Sequence, residues 1–175
     1  MFQPGELIIY SNMGVCKVME ITVPSFCKVT ERRQYYTLAP LEQQGTIFVP
    51  VDSKVFMRPI ITKEEADRLI DLIPSIQAEA FHSTVLQELT AHYSEALHSH
   101  DCGDLIELVM SIYAKKQYRQ AKNQKFGTVD ESFMKRAEDL LYGEFSVALE
   151  IPKSAVPGYI AARVKAVGKP AAKKA

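Results

Sequence analysis

The sequence predicts an α+β protein, with a small β module at its N-terminus and an all-helical domain after it. Residues 1–61 carry short β-favouring runs that are separated by turn residues. From residue 62 onward, apolar side chains recur at helical spacing instead. A chain of 175 residues, of which 47% are apolar, is long enough to bury a core in each part.

The strands of the β module are predicted from runs on either side of turns. Residues 6–10 and 15–23 flank Ser11-Asn12-Met13-Gly14, which predicts a hairpin with Gly14 at positive φ. After a loop or second turn at 24–33, residues 34–41 and 46–49 predict two more strands, and Pro50 limits pairing of the last one. About five short strands in a module of this size favour a small, partly open barrel of the SH3 or Tudor type.

The helical domain is predicted from caps, stripes and prolines. Residues 62–65 (TKEE) have the form of a capping box, and Pro74 ends the first helix. Apolar stripes predict further helices within 85–97, 105–112 and 133–148, with a second cap at 128–131. Pro152 and Pro157 bracket a last short helix that extends to about Val167. The predicted divisions are 1–61, 62–167 and a disordered tail at 168–175.

Composition indicates a soluble, cytoplasmic protein. No apolar stretch approaches the ~18 residues that a membrane span needs, and no basic-then-apolar leader is present. The three cysteines, Cys16, Cys27 and Cys102, are an odd number without clustered spacing, which argues against a disulfide framework. Cys16 lies in the middle of a predicted strand, where a free cysteine acts as a small apolar residue. We expect no contact with a membrane.

The strongest enzyme-like feature is the cluster His98-Ser99-His100-Asp101-Cys102. Its imidazole, carboxylate and thiolate groups are possible zinc ligands, but no second ligand pair lies at a useful spacing. We interpret it as a connection between helices, in which Asp101 caps the next helix and Gly103 lies in the first turn. A nucleophilic pair of a cysteine with a distant histidine stays open, without a flanking signature. We expect no catalytic residue, metal, cofactor or small-molecule substrate.

Charge is distributed unevenly along the helical domain. Residues 64–107 hold ten carboxylates and one basic residue, Arg68, whereas residues 108–125 hold five basic residues and no acid. On a helix, Lys115, Arg119 and Lys122 form one stripe, with Lys116 beside it and two tyrosines interleaved. Such a row can bind a phosphate backbone by releasing counterions. The alternatives are a solvated face, or one that pairs with the acidic region.

Leu89 also allows two interpretations. An apolar side chain can wedge between base steps in a minor groove. Its spacing, however, places Leu89 within the apolar stripe of its own helix, which favours packing in the core.

Four runs of the β module carry a family resemblance. They are GELIIY (5–10), GV (14–15), YYTL (35–38) and VPVD (49–52), preceded by Phe2. Together they resemble the start of the CarD/CdnL family, bacterial transcription regulators that bind RNA polymerase. A weaker likeness continues through the helices to about residue 150.

The resemblance implies two binding surfaces. The Tudor-like module is expected to dock on the RNA polymerase β subunit, through Val23, Phe26, Thr46, Ile47 and Phe48. The alternative for the two phenylalanines is that they belong to the core. The helical module is expected to meet promoter DNA near the upstream edge of the melted bubble, through Leu89, His92, Lys115, Lys116, Arg119 and Lys122.

The sequence also departs from the family pattern. The chain has no Trp, which many relatives place at the DNA wedge, and Leu89 aligns there. Other departures are Ser11 for Pro, Cys16 for Gly, Phe48 where some relatives have Arg or Met, and Ala91, His92 and Ser94 where basic residues are usual. Two functions therefore stay open. One is a regulator that modulates open-complex stability, and the other is a polymerase- or protein-binding adaptor whose acidic helices contact another protein.

Overall fold

A computed structural model describes residues 1–26 and 33–168. The chain divides into two units, Met1–Ile60 and Ile61–Ala175. The first unit contains strands and the second contains helices. The prediction of an α+β protein with the β module first is confirmed. Cys27, part of the predicted loop and the predicted tail beyond Gly168 lie outside the described residues.

The first unit holds one antiparallel sheet. Its described strands are β1 (Leu7–Tyr10), β2 (Gly14–Thr22), β3 (Tyr35–Pro40), β4 (Ile47–Pro50) and β5 (Met57–Pro59). Their order is β4-β3-β2-β1-β5, so the chain crosses over to add β5 beside β1. No pattern in the sequence predicts β5, because a strand of three residues that ends in proline shows no alternation of apolar and polar side chains.

The hairpin between β1 and β2 has the predicted turn. Gly14 takes φ 84° and ψ −145°, which is strained for a residue with a Cβ atom, so the prediction of positive φ is confirmed. Ser11 takes φ 44° in the same turn. Proline cannot adopt this φ. The turn formed here therefore could not hold the proline that is usual in the resembling family.

The core of the first unit lies on one set of alternating strand positions. Its buried residues are Ile8, Cys16, Val18, Tyr36, Leu38 and Val49. Cys16 is fully buried, and this burial raises the pKa of its thiol to about 11. The cysteine therefore packs as an apolar side chain, as the sequence predicts.

The second unit holds five described α-helices, none of which is long and apolar enough to cross a membrane. They are α1 (Lys63–Leu72), α2 (Leu86–His98), α3 (Cys102–Ala121), α4 (Thr128–Leu149) and α5 (Val156–Val167). Two predicted caps are confirmed: Thr62 accepts a hydrogen bond from the Glu65 N–H, and Asp101 accepts from the Gly103 and Asp104 N–H groups. Pro157 lies within the first turn of α5, where its missing N–H costs no hydrogen bond.

The predicted cap at residues 128–131 is wrong. Helix α4 begins at Thr128, and its N-cap is Gly127, which offers no side chain. A Cβ atom on Gly127 would lie 2.7 Å from Asp130 Oδ2. The carboxylate of Asp130 is buried in the core, and glycine leaves room for it.

Helix α5 is held along α1 by polar contacts. The Tyr159 hydroxyl donates to Asp67 Oδ1 at 2.6 Å. The Arg163 guanidinium donates to both oxygens of Asp71, at 2.6 and 2.9 Å. The hydrogen bond from Arg163 holds the pKa of Asp71 below its ordinary value of 3.8.

This pair predicts a pH-dependent contribution to stability. A carboxylate whose pKa is lower in the folded chain than in the unfolded chain stabilises the fold at pH values above its unfolded pKa. That stabilisation is lost as pH falls through the folded pKa. We expect Arg163→Gln to lower the urea midpoint at neutral pH. The midpoints of the variant and of the unchanged chain should converge as pH falls through the folded pKa of Asp71, which lies below 3.8. Urea titrations at several pH values measure this. A difference between the midpoints that stays constant into strong acid would contradict it.

Candidate functional site

Two of the predicted polymerase contacts form an exposed aromatic cluster. Phe26 is 62% exposed and Phe48 is 45% exposed, so neither is a core residue. Their ring centroids lie 5.4 Å apart, and Phe26 also lies 5.8 Å from Tyr35, both in edge-to-face geometry. We call Phe26, Tyr35 and Phe48 the aromatic cluster. The sequence predicts Tyr35 as a strand residue and does not predict its contact with Phe26, because Phe26 lies in the turn after β2.

The aromatic cluster adjoins an edge of the sheet. In the described sheet order, β4 is a terminal strand and pairs with β3. Along β4, Ile47 and Val49 pack on the core while Phe48 between them is exposed, because strand side chains alternate. Thr46 is exposed just before the strand. Ile47 is partly buried and packs against the core beside the exposed Phe48, and its role as a polymerase contact stays a prediction.

Val23 lines a cleft of about 520 Å³ together with Arg33, Gln34, Val51 and Asp52. Its side chain is exposed just beyond the end of β2. The rim holds an exposed ion pair, in which Arg33 Nη2 lies 2.8 Å from Asp52 Oδ1. A hydrogen bond from Arg33 lowers the pKa of Asp52. The cleft combines an apolar wall with charged groups that could orient a partner.

In the helical unit, Leu89 does not form a wedge. It is buried in the core of that unit with Tyr93 and Ile112. The prediction of Leu89 as a DNA contact is therefore wrong, and the core interpretation holds. His92 is exposed on the same helix, with its ring stacked 3.9 Å from that of Phe81.

Lys115 is not part of an exposed basic stripe. It is fully buried, and its ammonium lies 2.7 Å from Asp130 Oδ1. The Tyr93 hydroxyl donates to the same oxygen at 2.7 Å. Burial is the main cause that raises the pKa of Tyr93, and the bond to Asp130 adds to it. A buried ammonium that is paired with Asp130 cannot contact a phosphate. The prediction of Lys115 as a DNA contact is therefore wrong.

The other three basic residues of the stripe reach the surface. Lys116 Nζ lies 5.5 Å from the centroid of the Phe126 ring. Arg119 donates to the carbonyl oxygen of Lys125 at 3.2 Å. Lys122 is exposed, with its Nζ 4.3 Å from the centroid of the Tyr118 ring. A smaller basic surface than the sequence predicted therefore remains at the C-terminal end of α3.

Part of the acidic region lines a cleft of about 480 Å³. Four carboxylates face it, from Glu79, Glu95, Asp104 and Glu107, and His92 and Ser111 share the lining. Helices α2 and α3 supply most of these residues. The surface that results is acidic.

The His98–Cys102 cluster has a structural role at the start of α3. Asp101 caps that helix, and the buried Cys102 thiol donates to Glu144 Oε2 at 3.1 Å. The other oxygen of Glu144 accepts from the Ile61 N–H at 2.9 Å. Across residues 1–26 and 33–168, no group of three or more potential ligands could hold a metal ion.

Comparison with known families identifies the first unit. Residues 2–61 match the family model described as the CarD-like/TRCF RID domain, and the match ends before α1 begins. This domain has a Tudor-like fold, which confirms the predicted type of β module, and its family is not enzymatic. No curated protein is significantly similar to the chain. The chain therefore carries a CarD-like/TRCF RID domain, consistent with a CarD-like family member, and this domain indicates an interaction with RNA polymerase.

Proposed function

We propose that this protein is a transcription regulator that binds the RNA polymerase β subunit through its first unit. The helical unit then modulates the stability of the promoter open complex. The proposal rests on one observation, the exposed aromatic cluster at an edge of the sheet in the domain that matches the CarD-like/TRCF RID family.

The aromatic cluster offers the kind of anchor that dominates protein interfaces. A few aromatic residues that fill pockets on a partner commonly supply most of the binding energy. Phe26 and Phe48 are large, apolar and exposed, and Val23 adds to the apolar area. Strand β4 can in addition accept an extended segment of the β subunit, because an edge strand exposes backbone hydrogen-bonding groups.

Docking makes a weak contact between the helical unit and DNA effective. A tethered module meets its second site at an effective concentration that reaches the millimolar range for short flexible linkers. The remaining basic residues, Lys116, Arg119 and Lys122, supply a modest attraction for phosphates. If the bound protein contacts the open complex better than the closed one, the equilibrium shifts by that difference in affinity.

Retention of polymerase by the intact chain tests the proposal. We expect immobilised chain to retain both the purified core enzyme and the isolated β subunit, at moderate salt. If the chain retains the core enzyme but does not retain the isolated β subunit, the assignment of the β subunit as the partner is rejected. Failure to retain either would reject the proposal as a whole.

A second candidate function is a polymerase- or protein-binding adaptor whose helical unit does not bind DNA. The acidic cleft between α2 and α3 favours it, because four carboxylates repel phosphates and attract basic partners. Binding to an upstream-fork promoter fragment separates the two functions. A steep loss of affinity with rising salt supports the regulator, whereas no measurable binding at low salt supports the adaptor.

A further inference from the structure

The C-terminal end of α3 presents an aromatic ring beside a cation, since the Lys122 ammonium donates a hydrogen bond to the Tyr118 hydroxyl. Tyr118 is 46% exposed, and Lys122 Nζ lies 4.3 Å from its ring centroid. The ring of His82 lies 5.0 Å from that of Tyr118, inclined at 59°. We call Tyr118, Lys122 and His82 the Tyr118 patch. It belongs to the helical unit, whereas the aromatic cluster belongs to the first unit.

The chain segment that carries Tyr118 and Lys122 is positively charged. Residues 108–125 contain no acid, and four of their basic residues reach the surface: Lys116, Arg119, Lys122 and Lys125. The end of a helix carries about half a negative elementary charge, which these cations outweigh. Asp130 pairs with the buried Lys115, and the cations of this segment that reach the surface attract phosphates.

A ring and a cation in this arrangement suit one unpaired nucleotide. Its flat base can stack on an aromatic ring while its phosphate meets a nearby ammonium. In a duplex the base faces are covered by their neighbours, so the ring has nothing to stack on. The patch therefore favours a single strand over a duplex.

We propose that the Tyr118 patch binds unpaired DNA, by stacking a base on Tyr118 while Lys122 contacts the adjoining phosphate. This inference rests on the proposed function and deepens it, since a melted promoter supplies such a strand. It assigns the helical unit a preference for the form of DNA rather than for its sequence.

Fluorescence anisotropy with a labelled oligo(dT), and with a duplex of the same length, tests the proposal on the intact chain. We expect the single strand to bind more tightly. Tyr118→Ala should weaken its binding roughly ten-fold, in line with the effect of removing one stacked base, and Tyr118→Phe should keep most of the affinity. Lys122→Gln should lower the slope of log K against log salt by about 0.7, the value for one phosphate contact on a single strand.

Tyr113→Ala is the matched control. Tyr113 lies on the same helix and is 52% exposed, but it lines a separate apolar cleft with Met110 and Met134. We expect this variant to bind the oligonucleotide as the unchanged chain does. Equal losses in both alanine variants, an equal loss for the duplex, or no binding of the single strand would each overturn the proposal. Polymerase retention is measured separately, so a chain that retains polymerase but ignores the single strand rejects this inference alone.

Discussion

Replacing Asp130 with alanine is expected to lower the free energy of unfolding by about 3–5 kcal/mol, the range for removing one partner of a buried ion pair. The substitution leaves the Lys115 ammonium in the core without its 2.7 Å contact to Asp130. It also removes the acceptor of the Tyr93 hydroxyl. Urea unfolding followed by far-UV circular dichroism, which reports mainly on the helical unit, measures the loss.

Two further variants separate the charge from the hydrogen bond. Tyr93→Phe keeps the ion pair and removes the hydrogen bond to Asp130 together with a long one from Lys115, so we expect the free energy of unfolding to fall by about 1 kcal/mol. Combining Lys115→Met with Asp130→Ala removes both charges, and the double variant should be more stable than Asp130→Ala alone. A double variant that is less stable than Asp130→Ala would show that the buried charge is not the cause.

Phe48→Glu is expected to weaken binding to the RNA polymerase β subunit by about 2 kcal/mol or more, roughly 30-fold in Kd. The substitution places a charge in the aromatic cluster and removes the ring that lies 5.4 Å from Phe26. Glutamate is a sharper test than arginine, because some relatives in the resembling family carry arginine at this place. Titration of the labelled chain with isolated β subunit measures the change.

Phe56→Glu is the control for this variant. Phe56 is 40% exposed, close to the 45% of Phe48, and it directly precedes β5 at the opposite edge of the sheet. We expect Phe56→Glu to bind the β subunit as the unchanged chain does. If Phe56→Glu loses binding while Phe48→Glu keeps it, the docking face lies at the β5 edge and the proposed face is rejected.

Some parts of the structure could be predicted because their signals are local. The hairpin needs a residue at positive φ, and Gly14 supplies it. Helices α1 and α3 need acceptors for their first N–H groups, and Thr62 and Asp101 supply them. Helix α4 shows the limit, since Thr128 and Asp130 have the residue types of a cap while Asp130 instead joins the core.

The candidate functional residues show the same difference between features that local patterns predict and features that packing decides. Helical spacing places Lys115 and Lys122 on one face of α3, and this can be predicted from the residue pattern alone. The packing of the helices buries Lys115 against Asp130 and leaves Lys122 exposed, which no residue pattern predicts. Spacing defines which residues share a face, whereas burial depends on how far the neighbouring helices extend along it. Lys115 is the last buried residue of α3, and beyond it the same face meets solvent.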